Sequence, residues 1–422
     1  MSLIQKIGVC TGVFWIAVPE AHLYLLCGCP ADAVKHLRKK GLIVSREEKG
    51  VVFETGPNAI LLSDISIQNG HFANLSEFPV LQMLYLQGMI VPNHPGNTGE
   101  KPLLIGAYEQ IASQMQYIYR GNYGLISEEE IRAAGVAPQA AKEMMRLKLR
   151  FAFGNIRRTE ELLDACTVDT AFSEIRDGVS IRRVRTNVFE LRYREESVTV
   201  DLNLAPGEFY PPPYPLGFHR IHRDYFSVIH SGEGDGWDEN RPCMASVLSF
   251  QGKIYLIDAG PNILFILEAL GIAVNEVEGI FMSHAHDDHF AGLTALMRAD
   301  HRIRFLAHPL VRLSVAKKLC ALTSMTEDQF GDYFDVVDLR LDRWNDIHSL
   351  EVKPIFSPHP VETTVFFFRA LSEDGYRVYA HFADIAGLDV LENMVTGDAS
   401  SPGITEDFYR QVGKKYRQIW FL

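Results

Sequence analysis

The sequence predicts a mixed α+β and α/β protein of two domains, and three observations carry that prediction. The chain has 422 residues, whereas single hydrophobic cores stop growing near about 250–300 residues. A run with five prolines, Pro206-Gly207-Glu208-Phe209-Tyr210-Pro211-Pro212-Pro213-Tyr214-Pro215, reads as an extended connector. It divides the chain into a mixed α+β accessory domain at 1–205, a linker at 206–217 and a second domain at 218–422. In that second domain strands and helices alternate, and the apolar run Ile280-Phe281-Met282 leads straight into Ser283-His284-Ala285-His286-Asp287-Asp288-His289, where a strand meets a helix.

In the first domain, residues 7–18 form an apolar run after Lys6. The run is too short to span a membrane and has no small-residue cleavage pattern, so it predicts one strand. A second strand is expected at 23–26 and a short helix at 30–37, with proline in its first turn. Residues 51–54 and 58–62 flank Thr55-Gly56-Pro57 as a hairpin. A helix followed by a hairpin outlines a winged helix, but the helix is short and its surroundings are weakly basic, which argues against DNA binding. Cys27-Gly28-Cys29-Pro30 has no second cysteine pair to complete a metal site and is read as structural. The loop at 93–102 holds Gly96, Gly99 and Lys101 without the spacing of a phosphate-binding loop. Helices are expected over 108–119, after a capping box of Ser127 and Glu130, over 139–153 and over 159–166. Strands at 179–185, 188–193 and 197–202 close the domain as a meander.

In the second domain, strands are expected at 222–230, 243–249 and 253–258, then a helix at 263–270 and a strand at 277–283. Four potential metal ligands follow within six positions: His284, His286, Asp288 and His289. Ligands at i and i+2 of an extended segment point the same way, so His284 and His286 can grip one ion. Asp288 and His289 open the helix expected at 290–297 and turn toward a second position. Imidazole nitrogen and carboxylate oxygen suit zinc, with iron or manganese as alternatives. Downstream come a strand at 304–307, helices at 309–319 and 326–333, and strands at 336–341, 350–356, 361–369 and 376–380. The last residues, Gln418-Ile419-Trp420-Phe421-Leu422, read as a strand.

The stretch from His284 to His289 resembles the His-x-His-x-Asp-His signature of the metallo-β-lactamase superfamily. Leu256-Ile257-Asp258-Ala259-Gly260, one strand-helix-strand unit earlier, is similar to that family's first motif. The resemblance covers residues from about 222 onward and implies an αββα sandwich holding one or two metal ions between its sheets. It implies further that His359 joins His284 and His286, that Asp384 bridges two ions, that Asp288 both ligates and takes a proton, and that Asp258 orients the loop from behind. A further histidine normally follows the bridging aspartate, and none follows Asp384 in this sequence. The second metal position is therefore expected to be weaker or open, or the domain to be incomplete at its C-terminus, with His381 or another subunit as a substitute ligand.

The implied activity is metal-dependent hydrolysis by a metal-bound hydroxide, with a small phosphodiester as the favoured substrate. Lactone, carboxylic ester or thioester hydrolysis is the alternative, and a diiron redox-sensing site or a non-catalytic metal-binding module stands behind both. The net charge of −12 argues against a nucleic-acid partner, since phosphate backbones are bound by clustered Lys and Arg. Six cysteines without a framework spacing suggest reduced thiols and a cytoplasmic protein. No membrane association is expected, and homodimerisation is left open.

Overall fold

The computed structural model describes residues 2–398 and 400–419. Its backbone lays down one topology twice. In the N-terminal half, strands Gln5–Cys10, Val13–Val18, Leu23–Cys27, Ala59–Leu61, Leu103–Gly106 and Asp164–Thr167 form a six-stranded sheet in that order. The first three strands are antiparallel and the rest are added in parallel. Ser173–Arg176, Val179–Arg185, Val188–Tyr193 and Glu196–Asp201 then make a four-stranded antiparallel sheet.

The C-terminal half repeats the plan. Phe226–Gly232, Ala245–Phe250, Lys253–Ile257, Val277–Phe281, Ile303–Ala307 and Phe334–Asp338 form six strands with the same antiparallel-to-parallel switch. Asn345–Ile347, Leu350–Ser357, Thr363–Ser372 and Gly375–His381 form the four-stranded partner.

The apolar runs explain the layering. Strands covered on both faces read as continuous hydrophobic segments, and each face of Lys253–Ile257 enters a different core. Ile254 and Leu256 pack under the helices Ile263–Ala269 and Pro309–Thr323, whereas Tyr255 and Ile257 pack against Val352, Phe366 and Phe368 of the second sheet. Phe356, on the same face of its strand as Val352, packs with Leu391, Val412 and Tyr416 from two C-terminal helices. The C-terminal half is therefore an αββα sandwich. The N-terminal half divides in the same way: along Val13–Val18, Trp15 and Ala17 join one core and Ile16 and Val18 the other.

Several local expectations need correction. Residues 7–18 are two strands, because Gly12 at φ +68° turns the chain between them. Residues 51–54 pair with Ser45–Glu48, while Ala59–Leu61 leaves that hairpin to run parallel beside Leu23–Cys27. The helix expected over 159–166 is Thr159–Leu162, after which Asp164–Thr167 joins the sheet edge. Residues 418–419 continue the helix Glu406–Ile419 and are not a strand; 420–422 lie outside the described residues. The segment 206–217 carries no strand or helix but is docked, with Tyr210 and Tyr214 buried and the Tyr214 hydroxyl on Asp32 at 2.9 Å.

The two halves meet along the paired helices Tyr108–Tyr123 and Pro309–Thr323. At their contact lies a buried cluster drawn from both: Lys318 donates to Asp287 Oδ1 at 2.7 Å and to the Ala285 carbonyl at 2.6 Å, and it also meets Glu77. The Tyr117 hydroxyl donates to Asp287. Burial, with the Asp287 carboxylate and against the pull of Lys318, pushes Glu77 up to about 8.

Candidate metal centre

The site is built at the C-terminal ends of the parallel strands, where the chain leaves Val277–Phe281. The Asp258 carboxylate receives the Ser283 amide at 2.7 Å and its hydroxyl at 2.6 Å. Asp258 adopts φ +60° and accepts this strain while it anchors the loop. Its Oδ2 also lies 2.8 Å from His289 Nδ1, which turns Nε2 of that ring toward the cluster. In the same way the Ser283 hydroxyl, 3.0 Å from His284 Nδ1, leaves His284 Nε2 facing inward.

Two donor sets result, and they share His284. His284, His286, His359 and Asp384 offer one ligand atom each within 4.8 Å of one another, as do His284, Asp288 and His289. Asp384 stands between the sets, with Oδ2 3.5 Å from His359 Nε2 and Oδ1 3.3 Å from His289 Nε2. His359 Nε2 and His286 Nδ1 converge to 3.0 Å. His284 Nε2 is buried and has no hydrogen-bond partner among the described residues. A buried, unpartnered nitrogen aimed at converging nitrogens and a carboxylate fits a cation, so this donor set suits zinc and admits iron or manganese.

The electrostatics differ between the sets. Burial and then the neighbouring rings keep His284 and His286 neutral, and burial pushes His359 down to about 4. These imidazoles are ready to ligate at neutral pH. His289 goes the other way. Burial would lower it, but the Asp288 and Asp258 carboxylates outweigh burial and raise it well above the usual value. Burial pushes the Asp288 carboxyl up to about 6, against the pull of His289. Burial would also raise Asp384, yet the imidazoles of His289, His359 and His286 hold it well below the usual carboxylate range. In the metal-free protein the second set therefore holds a proton that the first does not.

His381 lies outside both sets. It is buried, with Nδ1 3.0 Å from the Tyr379 hydroxyl and Nε2 4.0 Å from Asp258 Oδ2, so it stands behind Asp258 rather than among the donors. His308 caps the helix Pro309–Thr323 by accepting the Leu310 amide at 3.2 Å. Cys27 and Cys29 are buried, and burial pushes the Cys29 thiol up to about 12.

Sequence reasoning missed the counterpart of this site in the first half. Leu61 pairs with Cys27 as Phe281 pairs with Ile257, so Ser63-Asp64 occupies the place of Ser283-His284. There Asn187 Oδ1 accepts the Ser63 hydroxyl at 2.9 Å and the Asp64 amide at 2.7 Å, while the Asn187 amide donates to Asp64 at 2.8 Å. This position is closed by Asn187 and by the ion pair of Asp64 with Arg183 at 3.3 Å, and Asp64 stands there in place of His284. The signal that could have found the repeat is Ser63-Asp64-Ile65-Ser66 followed by His71-Phe72-Ala73-Asn74-Leu75, against Ser283-His284-Ala285-His286 followed by His289-Phe290-Ala291-Gly292-Leu293.

A family model described as anti-Pycsar protein Apyc1 matches residues 226–374. The cGMP-dependent 3′,5′-cGMP phosphodiesterase A of Dictyostelium discoideum is 21% identical over 141 residues, 33% of this chain and 16% of that protein. The chain thus spans about a sixth of the curated relative it matches. Among solved structures, the short form of human tRNase Z is 21% identical, with 41% of this chain and 71% of that one aligned at a TM-score of 0.30. A diphosphatase of the PhnP family is 16% identical over 42% and 70% of the two chains, at a TM-score of 0.27. The metallo-β-lactamase fold protein YhfI of Bacillus subtilis is 15% identical over 38% and 63%, at 0.29. With its αββα layers and the His284-to-His289 loop at the parallel strand ends, the C-terminal half of this chain resembles the metallo-β-lactamase fold, and its residues 226–374 match the Apyc1 family model.

Proposed function

We propose that the C-terminal half is a metal-dependent hydrolase and that its substrate is a small phosphodiester. The observation that carries the reading is the position of Asp384 between two donor sets that share His284, because two ions held side by side suit an in-line displacement at phosphorus. When bound, the ions supply Lewis acidity and lower the pKa of a coordinated water. The chain's own residues do the rest. His284, His286, His359 and Asp384 hold the first position, and Asp288, His289 and Asp384 hold the second. Asp288 Oδ2, 3.9 Å from His289 Nε2, is a carboxylate able to take a proton near neutral pH.

Phosphodiester chemistry is supported by the matched relative, whose name gives cGMP as its substrate. A small substrate is favoured over a nucleic-acid strand because the N-terminal half stands over the mouth of the site, where His286 and Pro360 line a cavity of about 310 Å³ together with Tyr85 and Phe153. The test is turnover of a panel of nucleoside cyclic phosphates, bis(p-nitrophenyl) phosphate, lactones and thioesters after reconstitution with zinc, manganese or iron. Phosphodiester turnover that is lost in Asp384→Asn supports the reading. Turnover confined to lactones or thioesters, or none at all, overturns it.

A further inference from the structure

We propose that the N-terminal half supplies the specificity pocket of this site, and that the pocket receives the nucleobase of a cyclic nucleoside phosphate. The inference rests on the phosphodiester reading above for the group placed at His286. The cavity of about 310 Å³ begins at His286 and Pro360 and is otherwise walled by the N-terminal half, including Tyr85, Asn122, Tyr123 and Phe153. That volume lies at the lower end of small-ligand pockets, which run from about 300 to 1,000 Å³.

Two features of the wall point to a planar, polar-edged ligand. Asn122 is only 9% exposed. Its Oδ1 accepts the Tyr85 hydroxyl at 3.0 Å, while its Nδ2 is buried without a partner among the described residues. If the amide is turned over, Oδ1 becomes the free end, so in either orientation one hydrogen-bonding group is left for a ligand. A base edge carries such groups. Tyr85 and Phe153 stand nearly parallel, with ring centroids 6.4 Å apart and 28° between planes, and form a surface on which a base stacks.

The backbone is distorted at both rings. Phe153 follows the helix Pro138–Phe151 at the position where helix ends take glycine, since the Gly154 amide reaches back to the Leu149 carbonyl at 2.7 Å. It holds φ +52° with its ring 58% exposed. A bulky residue in the left-handed region is a costly choice for a purely structural cap. Tyr85 sits in the π-helical turn Gln82–Leu86, a rare local form often found at functional sites.

The test uses the full-length protein and the variants Phe153→Gly and Asn122→Ala. Calorimetry measures binding of nucleoside 5′-monophosphates, with inorganic phosphate as the control, and turnover of nucleoside 3′,5′-cyclic phosphates is measured beside it. Wild type is expected to bind the nucleotides far more tightly than phosphate, and each variant to bind them about ten-fold or more weakly and to show a KM raised by a similar factor. Metal content should not change, and Phe153→Gly should melt no lower than wild type because glycine relieves the strained cap. Nucleotide binding equal to that of phosphate, or variants that bind as wild type does while wild type still hydrolyses phosphodiesters, overturns the pocket and leaves the hydrolase standing. Tight nucleotide binding that the variants abolish, with no turnover of any phosphodiester, overturns the hydrolase reading and leaves the pocket standing.

Discussion

The N-terminal and C-terminal halves run ten strands through the same pair of sheets, yet one leaves its second parallel strand as Ser63-Asp64-Ile65-Ser66 and the other as Ser283-His284-Ala285-His286. The fold asks only that a strand end and a loop return at this point. A carboxylate and three imidazoles converge where Asp258 and Ser283 orient them; an asparagine closes the same place where Asn187 ties Ser63 and Asp64 together. Chemistry is thus separable from scaffold in this molecule. The half without ligands keeps a task, since Glu77 and Tyr117 support the ligand loop through Asp287, and Lys148 ties the Tyr123 carbonyl to the Pro360 carbonyl beside His359.

The largest stability effect expected from breaking this partnership is at Lys318. Lys318→Met leaves the buried Asp287 carboxylate beside the Glu77 carboxyl without its cation, which costs on the order of 3–5 kcal/mol. Chemical denaturation of the full chain measures it. A loss under 1 kcal/mol would show that the two halves do not depend on this cluster.

Asn187→Ala is the counterpart in the ligand-free half. It strips the Ser63 hydroxyl and the Asp64 amide of their acceptor and should cost about 1–3 kcal/mol while leaving metal content unchanged. Loss of metal in this variant would contradict the separation of the two halves.

A smaller effect, visible only in proton balance, distinguishes the two donor sets. Ligands must be deprotonated to bind metal. His359 in the metal-free protein loses its proton at about 4, so the first position should keep its affinity from neutral pH down to roughly that value. Asp288 is pushed up to about 6 and His289 is raised well above its usual value, so the second position should weaken as pH falls below neutral. Calorimetry at pH 7 in buffers of different ionisation heat should find proton release with the second ion and little with the first. Equal release for both would remove the distinction.

The C-terminal half was the more legible because strands buried on both faces spell continuous apolar runs such as Ile254 to Ile257, and because four ligand-type side chains stand within six positions. The ends of elements were harder to read. Capping chemistry at Ser127 and Glu130 marks a helix start, but nothing local separates the short helix Thr159–Leu162 from the edge strand that follows it. Parallel pairing was invisible for a related reason: Ala59–Leu61 finds its neighbour Leu23–Cys27 across an inserted hairpin, and local alternation suggested the hairpin instead. The repeat itself escaped notice because His284 and His286, the residues that advertise the fold, stand where the first half has Asp64 and Ser66. The cavity above His286 was equally hidden, since Tyr85, Asn122 and Phe153 come together only in the folded chain.

The account turns on where the metal sits, and metal content of matched variants measures that most directly. Full-length protein, the His284→Ala/His286→Ala double variant and the Asp64→Ala/Asn187→Ala double variant would be loaded identically, dialysed and assayed by elemental analysis. The prediction is that tightly held metal is lost from the histidine variant and retained at the wild-type level in the other. Equal metal in wild type and the histidine variant would contradict it.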